Sequence, residues 1–348
     1  MDIVKIFVPT TIAFIIGILI TPVVSGYLYR HKMWKKKSVI VATDGGTATI
    51  TQKLHNDEER KTPRMGGIII WASALITIIL FWLGGILDGS VLNKLNFLSR
   101  NQTWLPIFTL IVGALVGLID DYFSVSEIYD QKGGGLSSKK RLLAVFIISL
   151  IGAWWFYTKL QITDIIIPFI GVWHVGYLFI IFFVVVTLGT YSGGIIDGID
   201  GLAGGIFGII FGAYGVIAFL QNQIDLAAFC FVLVGGLLAF LWFNIPPARF
   251  YMSETGTMAL TITLVVVAFL TKQILVLPII AFPLVISSAS SQIQLLSKKF
   301  RHGKKVFLVA PLHNHFQAKG WPAAKVVMRY WVLGIIFAAL GIIIVLVG

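Results

Sequence analysis

Ten runs of predominantly apolar residues set the terms for this chain: approximately 4–26, 66–86, 104–122, 142–158, 174–191, 201–220, 226–243, 257–271, 274–295 and 328–347. Each is near the roughly 20 residues that a helix needs to cross the hydrocarbon core of a bilayer. In lipid, every backbone N–H and C=O must find a partner within the protein, so only helices or a closed barrel can span. Runs of this length and continuity predict helices. The expected fold is therefore all-α: a polytopic integral membrane protein of about ten transmembrane helices.

Composition agrees, with 57% hydrophobic residues, 12% charged residues and a mean hydropathy of +0.92, values that exclude an ordinary soluble domain. The segments between spans reach only about 30 to 40 residues, at 27–65 and 296–327, too short for a separate domain. A single transmembrane domain over 1–348 is expected. The first span lacks a basic n-region and a small-residue cleavage site, and reads as a retained helix. Cys230, the single cysteine, lies inside an apolar run, so no intrachain disulfide can form and the thiol reads as a small buried hydrophobe.

The net charge of +12 is unevenly placed. Of 27 Lys and Arg residues, 22 follow odd-numbered spans, among them Lys35, Lys36, Lys37, Arg60, Lys139, Lys140, Lys298, Lys299, Lys304 and Lys305. Lys5, Lys94, Arg100, Lys159 and Lys272 fall on the other side. The positive-inside rule then puts both termini outside and the odd-numbered loops in the cytoplasm. Basic residues set between spans speak for membrane lipids as partners and against nucleic acid.

The unusual polar clusters all lie on that cytoplasmic face. Ionisable residues close to a bilayer are costly unless they sit at an end, are paired, or serve a function. In DGIDGLAGG, Asp197 and Asp200 are three residues apart, so that with Asp200 opening the next helix both carboxylates can face one water-filled mouth; two capping aspartates in a short loop are the plainer reading. KTPRMGG, at 61–67, offers Thr62 or Arg64 to a phosphate and glycines for close backbone approach. GLIDDY, at 117–122, sets Asp120 beside Asp121, where either both act on a divalent cation or one is structural and the other reactive. In FNIPPARFYMSETGT, Pro246 and Pro247 break the helix and leave Asn244, Arg249 and Glu254 in a loop, so a metal site shared with the aspartate pair draws on Glu254. In APLHNHFQAKGW, an extended loop would turn His313 and His315 to one face as phosphate contacts or proton-transfer groups. Hard oxygen ligands favour Mg²⁺, held by one or two carboxylates together with substrate phosphates. Chemistry on a phosphorylated, Mg²⁺-bound substrate with a lipid reactant is as far as composition and topology lead.

These motifs, taken in order, resemble the polyprenyl-phosphate N-acetylhexosamine-1-phosphate transferases over nearly the whole chain. APLHNHF..KGW and the basic run before it point to the muramoyl-pentapeptide branch. The resemblance implies transfer of phospho-N-acetylmuramoyl-pentapeptide from its UDP carrier to undecaprenyl phosphate, giving lipid I and UMP, in a bacterial inner membrane, with Mg²⁺ as cofactor and a homodimer as a possible assembly. By position, Asp120 and Asp121 match the family's aspartate pair, one of them acting on the lipid phosphate, and Glu254 stands where the family carries a Mg²⁺-binding aspartate. Asp197 and Asp200 match its DGxDG loop, Asn244 and Gln294 match polar residues near the nucleotide, and His313 opens its histidine motif. The chain departs from the pattern at Tyr191 and Gly194 (asparagines expected), Ser124 (lysine), Gly134 (a basic residue) and Asn314 (histidine); Arg141 and Lys132 are candidates to restore positive charge. The competing readings are a related UDP-N-acetylhexosamine:polyprenyl-phosphate transferase and a non-catalytic membrane homologue.

Overall fold

A computed structural model describes residues 1–34, 61–88, 91–126 and 135–348. Lys35, Lys36, Lys37, Arg60, Lys132 and Gly134 lie outside the described residues, as does most of the longest segment between spans. The described chain is almost wholly helical: α1 Asp2–Arg30, α2 Ile68–Asp88, α3 Trp104–Ser126, α4 Ser138–Trp155, α5 Leu178–Tyr191, α6 Leu202–Leu220, α7 Ile224–Asn244, α8 Ser253–Leu270, α9 Phe282–Phe300, α10 Leu312–Ala318 and α11 Ala323–Val347. Among the described residues, nine helices are long and apolar enough to span a membrane. A tenth span exists only if Ile274–Ile280 and Phe282–Phe300, bent by 81°, count as one. The run at 274–295 was expected to be one helix. Pro278 and Pro283 flank the bend and remove the N–H donors that a straight helix would use there.

The apolar run at 174–191 also begins differently. Asp164–Ile167 and Gly171–His174 form a two-stranded antiparallel hairpin, and the helix starts only at Leu178. β-branched Ile165, Ile166 and Val172 suit an extended pair better than a helix start.

At the centre stands α8. Every residue from Thr255 to Leu270 is buried, whereas α1 and α11 turn most of their apolar surface outward. A helix apolar on all faces belongs in the middle of a bundle. Tight packing around α8 depends on missing side chains. A Cβ on Gly117 of α3 would overlap the Glu254 carbonyl, and one on Gly67 would overlap the backbone of Gly256. These two glycines let α3 and the chain before α2 lie directly against the first turn of α8, where the polar residues gather.

Candidate active site

Three stretches far apart in sequence meet at the start of α8. Gly66 N–H donates to the Tyr251 carbonyl at 2.8 Å, and Tyr251 N–H donates to the Pro63 carbonyl at 2.9 Å, which brings Arg64 to the end of α3. There Arg64 Nε donates to Asp121 Oδ1 at 3.2 Å. The other Asp121 oxygen accepts from Thr255 N–H at 2.8 Å and from Thr255 Oγ1 at 2.7 Å. Fully buried, Asp121 has both oxygens committed, and a buried carboxylate needs such partners.

Asp120 points elsewhere, as adjacent residues on a helix must. Its Oδ1 accepts from Leu136 N–H at 2.6 Å, while Oδ2 has Arg141 Nη1 at 3.8 Å. The same Nη1 lies 2.6 Å from Glu254 Oε1, and Tyr191 OH reaches Glu254 Oε2 at 3.4 Å. Glu254 sits in the first turn of α8 and not in a loop, because the helix resumes at Ser253; Asn244 is the last residue of α7. The break at Pro246 and Pro247 is as expected.

Ser253 has a positive φ of 55°, uncommon for a residue with a side chain and a mark of local strain where it occurs at functional sites. Its N–H donates to Asp197 Oδ2 at 2.7 Å. Loss of water raises the Asp197 carboxyl to about 6 against the opposing pull of that N–H and Arg64, with the Asp121 and Asp200 charges adding to the rise. Asp200 does not open the next helix. Leu202 does, behind Gly201, and Asp200 Oδ2 accepts instead from Ala248 N–H at 2.9 Å.

Arg64, Ser138, Arg141, Tyr191, Asp197, Ser253, Glu254 and Thr257 line a cavity of about 400 Å³. On the other side of the 3-10 turn Ser192–Ile196 lies a second, mostly apolar cavity of about 340 Å³, walled by α5 residues such as Phe182 and Val186 and by Leu277, Pro278 and Leu284 at the break before α9. Ser192 Oγ and Ser288 Oγ, 2.5 Å apart, bind the turn to α9.

The remaining expected site residues stand back from the polar cavity. Asn244 ties the DGIDG loop to the chain after α7, accepting from Gly201 N–H at 2.9 Å and donating to the Phe250 carbonyl at 2.8 Å. Gln294 Oε1 accepts from Val306 and Phe307 N–H, each at 3.0 Å, and so fixes the loop after α9. Thr62 is half-buried and is not among the lining residues. His313 and His315 do not share a face, because LHNHFQA is helical: residues two apart on α10 point roughly 200° apart. His313 is fully buried, and burial lowers its pKa to about 3; a Cβ on Gly198 would lie 2.7 Å from His313 Nε2, so the ring packs on the back of the DGIDG loop. His315 faces the loop, its Nδ1 accepting from Leu308 N–H at 3.1 Å.

Ser253, Thr255 and Thr257 were not singled out from the sequence. The signal available was the polar run SETGT opening an otherwise apolar span.

A divalent cation can be set against this donor set. Asp120 Oδ2 and Glu254 Oε1 converge on one positive group, the Arg141 guanidinium, which stands where a hard cation would find two carboxylate oxygens. No group of three or more His, Cys, Asp or Glu side chains is gathered closely enough among the described residues to hold a metal alone. The residues fit Mg²⁺ of the kind bound by one or two carboxylates and completed by substrate phosphates.

Residues 103–272 match the family described as glycosyl transferase family 4. The chain is 33% identical over 341 residues to the phospho-N-acetylmuramoyl-pentapeptide-transferase of Listeria innocua, covering 96% of each chain. It is 35% identical over 334 residues to the protein of the same description from Anoxybacillus flavithermus, covering 95% of each. The Levilactobacillus brevis protein so described is 32% identical over 333 residues, covering 95% of this chain and 96% of its own.

Proposed function

The chain belongs to the phospho-N-acetylmuramoyl-pentapeptide-transferase family, and on that footing we propose that it transfers phospho-N-acetylmuramoyl-pentapeptide from UDP to undecaprenyl phosphate, in a Mg²⁺-dependent reaction at the cytoplasmic face of a bacterial inner membrane. A lipid phosphate oxygen bonds to the sugar-linked phosphorus of the UDP-sugar, the bond from that phosphorus to the bridging oxygen breaks, and UMP leaves with that oxygen. Lipid I is the other product.

The observation that carries the reading is the pairing of cavities. A polar cavity with two arginines and Glu254 in its wall abuts an apolar one at a broken span. A diphosphate suits the first and a polyprenyl chain the second, with the lipid phosphate meeting the nucleotide at the turn between them.

Behind the polar cavity, in contact with the arginines that line it, the two buried aspartates divide the work. Asp121 has both oxygens taken by Arg64 and Thr255, so it positions Arg64 and the first turn of α8. Asp120 Oδ2 is the less committed oxygen, with only Arg141 at 3.8 Å among the described residues, and is the one to help hold the metal that meets the lipid phosphate. Arg64 brings positive charge to phosphates whose mutual repulsion is the main obstacle to transfer. Asp197 holds Ser253 N–H and so the start of α8, and Asn244 and His313 brace the DGIDG loop from behind. Mg²⁺, held by Glu254 and Asp120, would supply neutralisation of the diphosphate. Glu254, in place of an aspartate, reaches one methylene further, and Arg141 meets it there.

Mg²⁺-dependent UMP release by the purified protein tests this, with undecaprenyl phosphate and UDP-N-acetylmuramoyl-pentapeptide. Release is expected with that donor and not with UDP-N-acetylglucosamine. Release with the second donor alone, or with neither from a folded sample, would overturn the reading.

A further inference from the structure

We infer that Arg141 occupies the cation seat between Asp120 and Glu254 until a divalent ion displaces it, so that guanidinium and metal compete for the same two carboxylates and Arg141 sets how tightly the metal binds. The inference rests on the Mg²⁺ assignment above but concerns a different residue and a different property.

Three features support a displaceable arginine over a permanent strut. The first is incomplete satisfaction. Arg141 Nη1 serves Glu254 at 2.6 Å and lies 3.8 Å from Asp120, too far for a hydrogen bond, while Arg141 Nε is buried with no hydrogen-bond partner among the described residues. An arginine fixed in a structural role normally uses its planar fork, with two or more donors engaged. A buried donor left unsatisfied is costly, which favours any state that relieves it.

The second is position. Arg141 sits in the first turn of α4, after Ser138, Lys139 and Lys140. The N-terminus of a helix carries partial positive charge and disfavours cations. Nothing in its own helix therefore holds the guanidinium in place; the two carboxylates do.

The third is the carboxylates' spare capacity. Glu254 Oε2 has only the 3.4 Å contact with Tyr191 OH, and Asp120 Oδ2 has no hydrogen bond among the described residues. Both oxygens remain available to a divalent ion, and two carboxylates facing each other need some cation between them. A divalent ion carries twice the charge of Arg141, so it wins the seat at sufficient concentration. The side chain it displaces already lines the cavity, 29% exposed, with room to turn.

The test is Mn²⁺ binding to the full-length, detergent-purified protein without nucleotide, read by electron paramagnetic resonance as free against bound ion. Removing a competing positive charge a few ångströms from the ion is expected to tighten Mn²⁺ binding at least about tenfold in Arg141→Gln. Arg141→Lys, which keeps the charge on a shorter, mobile ammonium, should lie between that variant and the wild type. It also answers the question if Arg141→Gln does not fold. Arg141→Gln and Glu254→Gln together should return binding to the wild-type level or below. Equal or weaker binding in the single Arg141 variants, or no binding to any of the proteins, overturns the inference. The outcome is separable from the functional reading: UMP release with an unchanged Mn²⁺ affinity in Arg141→Gln sinks the competition alone, whereas a tightened affinity with no UMP release sinks the transfer alone.

Discussion

Arg141 Nη1 and Glu254 Oε1 stand 2.6 Å apart, joining the start of α4 to the start of α8 across the mouth of the polar cavity. The pair fixes the length required of the acidic side chain. Glu254→Gln removes the charge that faces both Arg141 and a metal, and UMP release should fall by about 100-fold or more. Glu254→Asp keeps the charge but withdraws it by one methylene, so release should fall less than in Glu254→Gln, by up to about 100-fold. Steady-state rates at saturating Mg²⁺ check both, and equal losses in the two variants would contradict the charge assignment.

Asp121 and Asp120 should respond differently to the same substitution. Asp121→Asn turns an amide N–H₂ toward Arg64 or Thr255, and breaking a buried charge pair of this kind costs roughly 3–5 kcal/mol. Its melting temperature should drop along with its rate. Asp120→Asn leaves one oxygen for Leu136 N–H and should lose rate with much less change in melting temperature. Equal destabilisation of both variants would argue against assigning the structural part to Asp121.

The contact between α3 and α8 admits no side chain at Gly117. Gly117→Ala should cost about 1–3 kcal/mol through forced separation of the two helices, lowering both melting temperature and activity because Asp121 and Thr255 move apart. Gly212→Ala in α6 meets nothing within 4 Å and should be neutral or stabilising by up to about 1 kcal/mol. A melt of the two variants beside wild type decides.

His313 makes stability depend on pH with a definite sign. Its folded-state pKa of about 3 lies below the ordinary value near 6.5, so the unfolded chain binds more protons in that window. The contribution is complete above about pH 6.5 and declines as pH falls, by about 2 kcal/mol between pH 7 and pH 5. Asp197, raised to about 6, works in the opposite direction: its protonated form favours the folded state as pH falls through 6 toward 4, by about 1 kcal/mol over the same interval. His313→Asn removes the histidine's contribution, and acidification from pH 7 to pH 5 should then stabilise the variant relative to wild type. Melting curves at the two pH values measure the difference.

The apolar cavity beside α5 should govern use of the lipid acceptor. Val186→Trp fills much of it and should raise the KM for undecaprenyl phosphate several-fold with little change in the KM for the nucleotide donor, since Val186 lines the apolar cavity and not the polar one. A rise confined to the nucleotide KM would reject the assignment of this cavity to the lipid.

The sequence by itself determined that the chain crosses a membrane many times and that Asp120, Asp121, Asp197 and Glu254 stand near span ends, because runs of apolar residues and charges at their ends are local properties that lipid reads directly. The order of its motifs also carried the family, which the relatives matched over 95–96% of the chain bear out. Tertiary structure decided what those properties could not. The span at 274–295 is broken and the one at 174–191 starts late, since Pro278, Pro283 and the hairpin strands act through neighbours and not through hydropathy. The short segment holding His313 and His315 is a helix, which a seven-residue stretch without strong periodicity does not announce. Above all, the division between a saturated Asp121 and an open Asp120, and the meeting of Arg141 with Glu254 across 113 residues, depend on Gly117 and Gly67 letting backbones touch at α8. Distances between side chains of different helices are set by packing, and packing is a property of the whole chain.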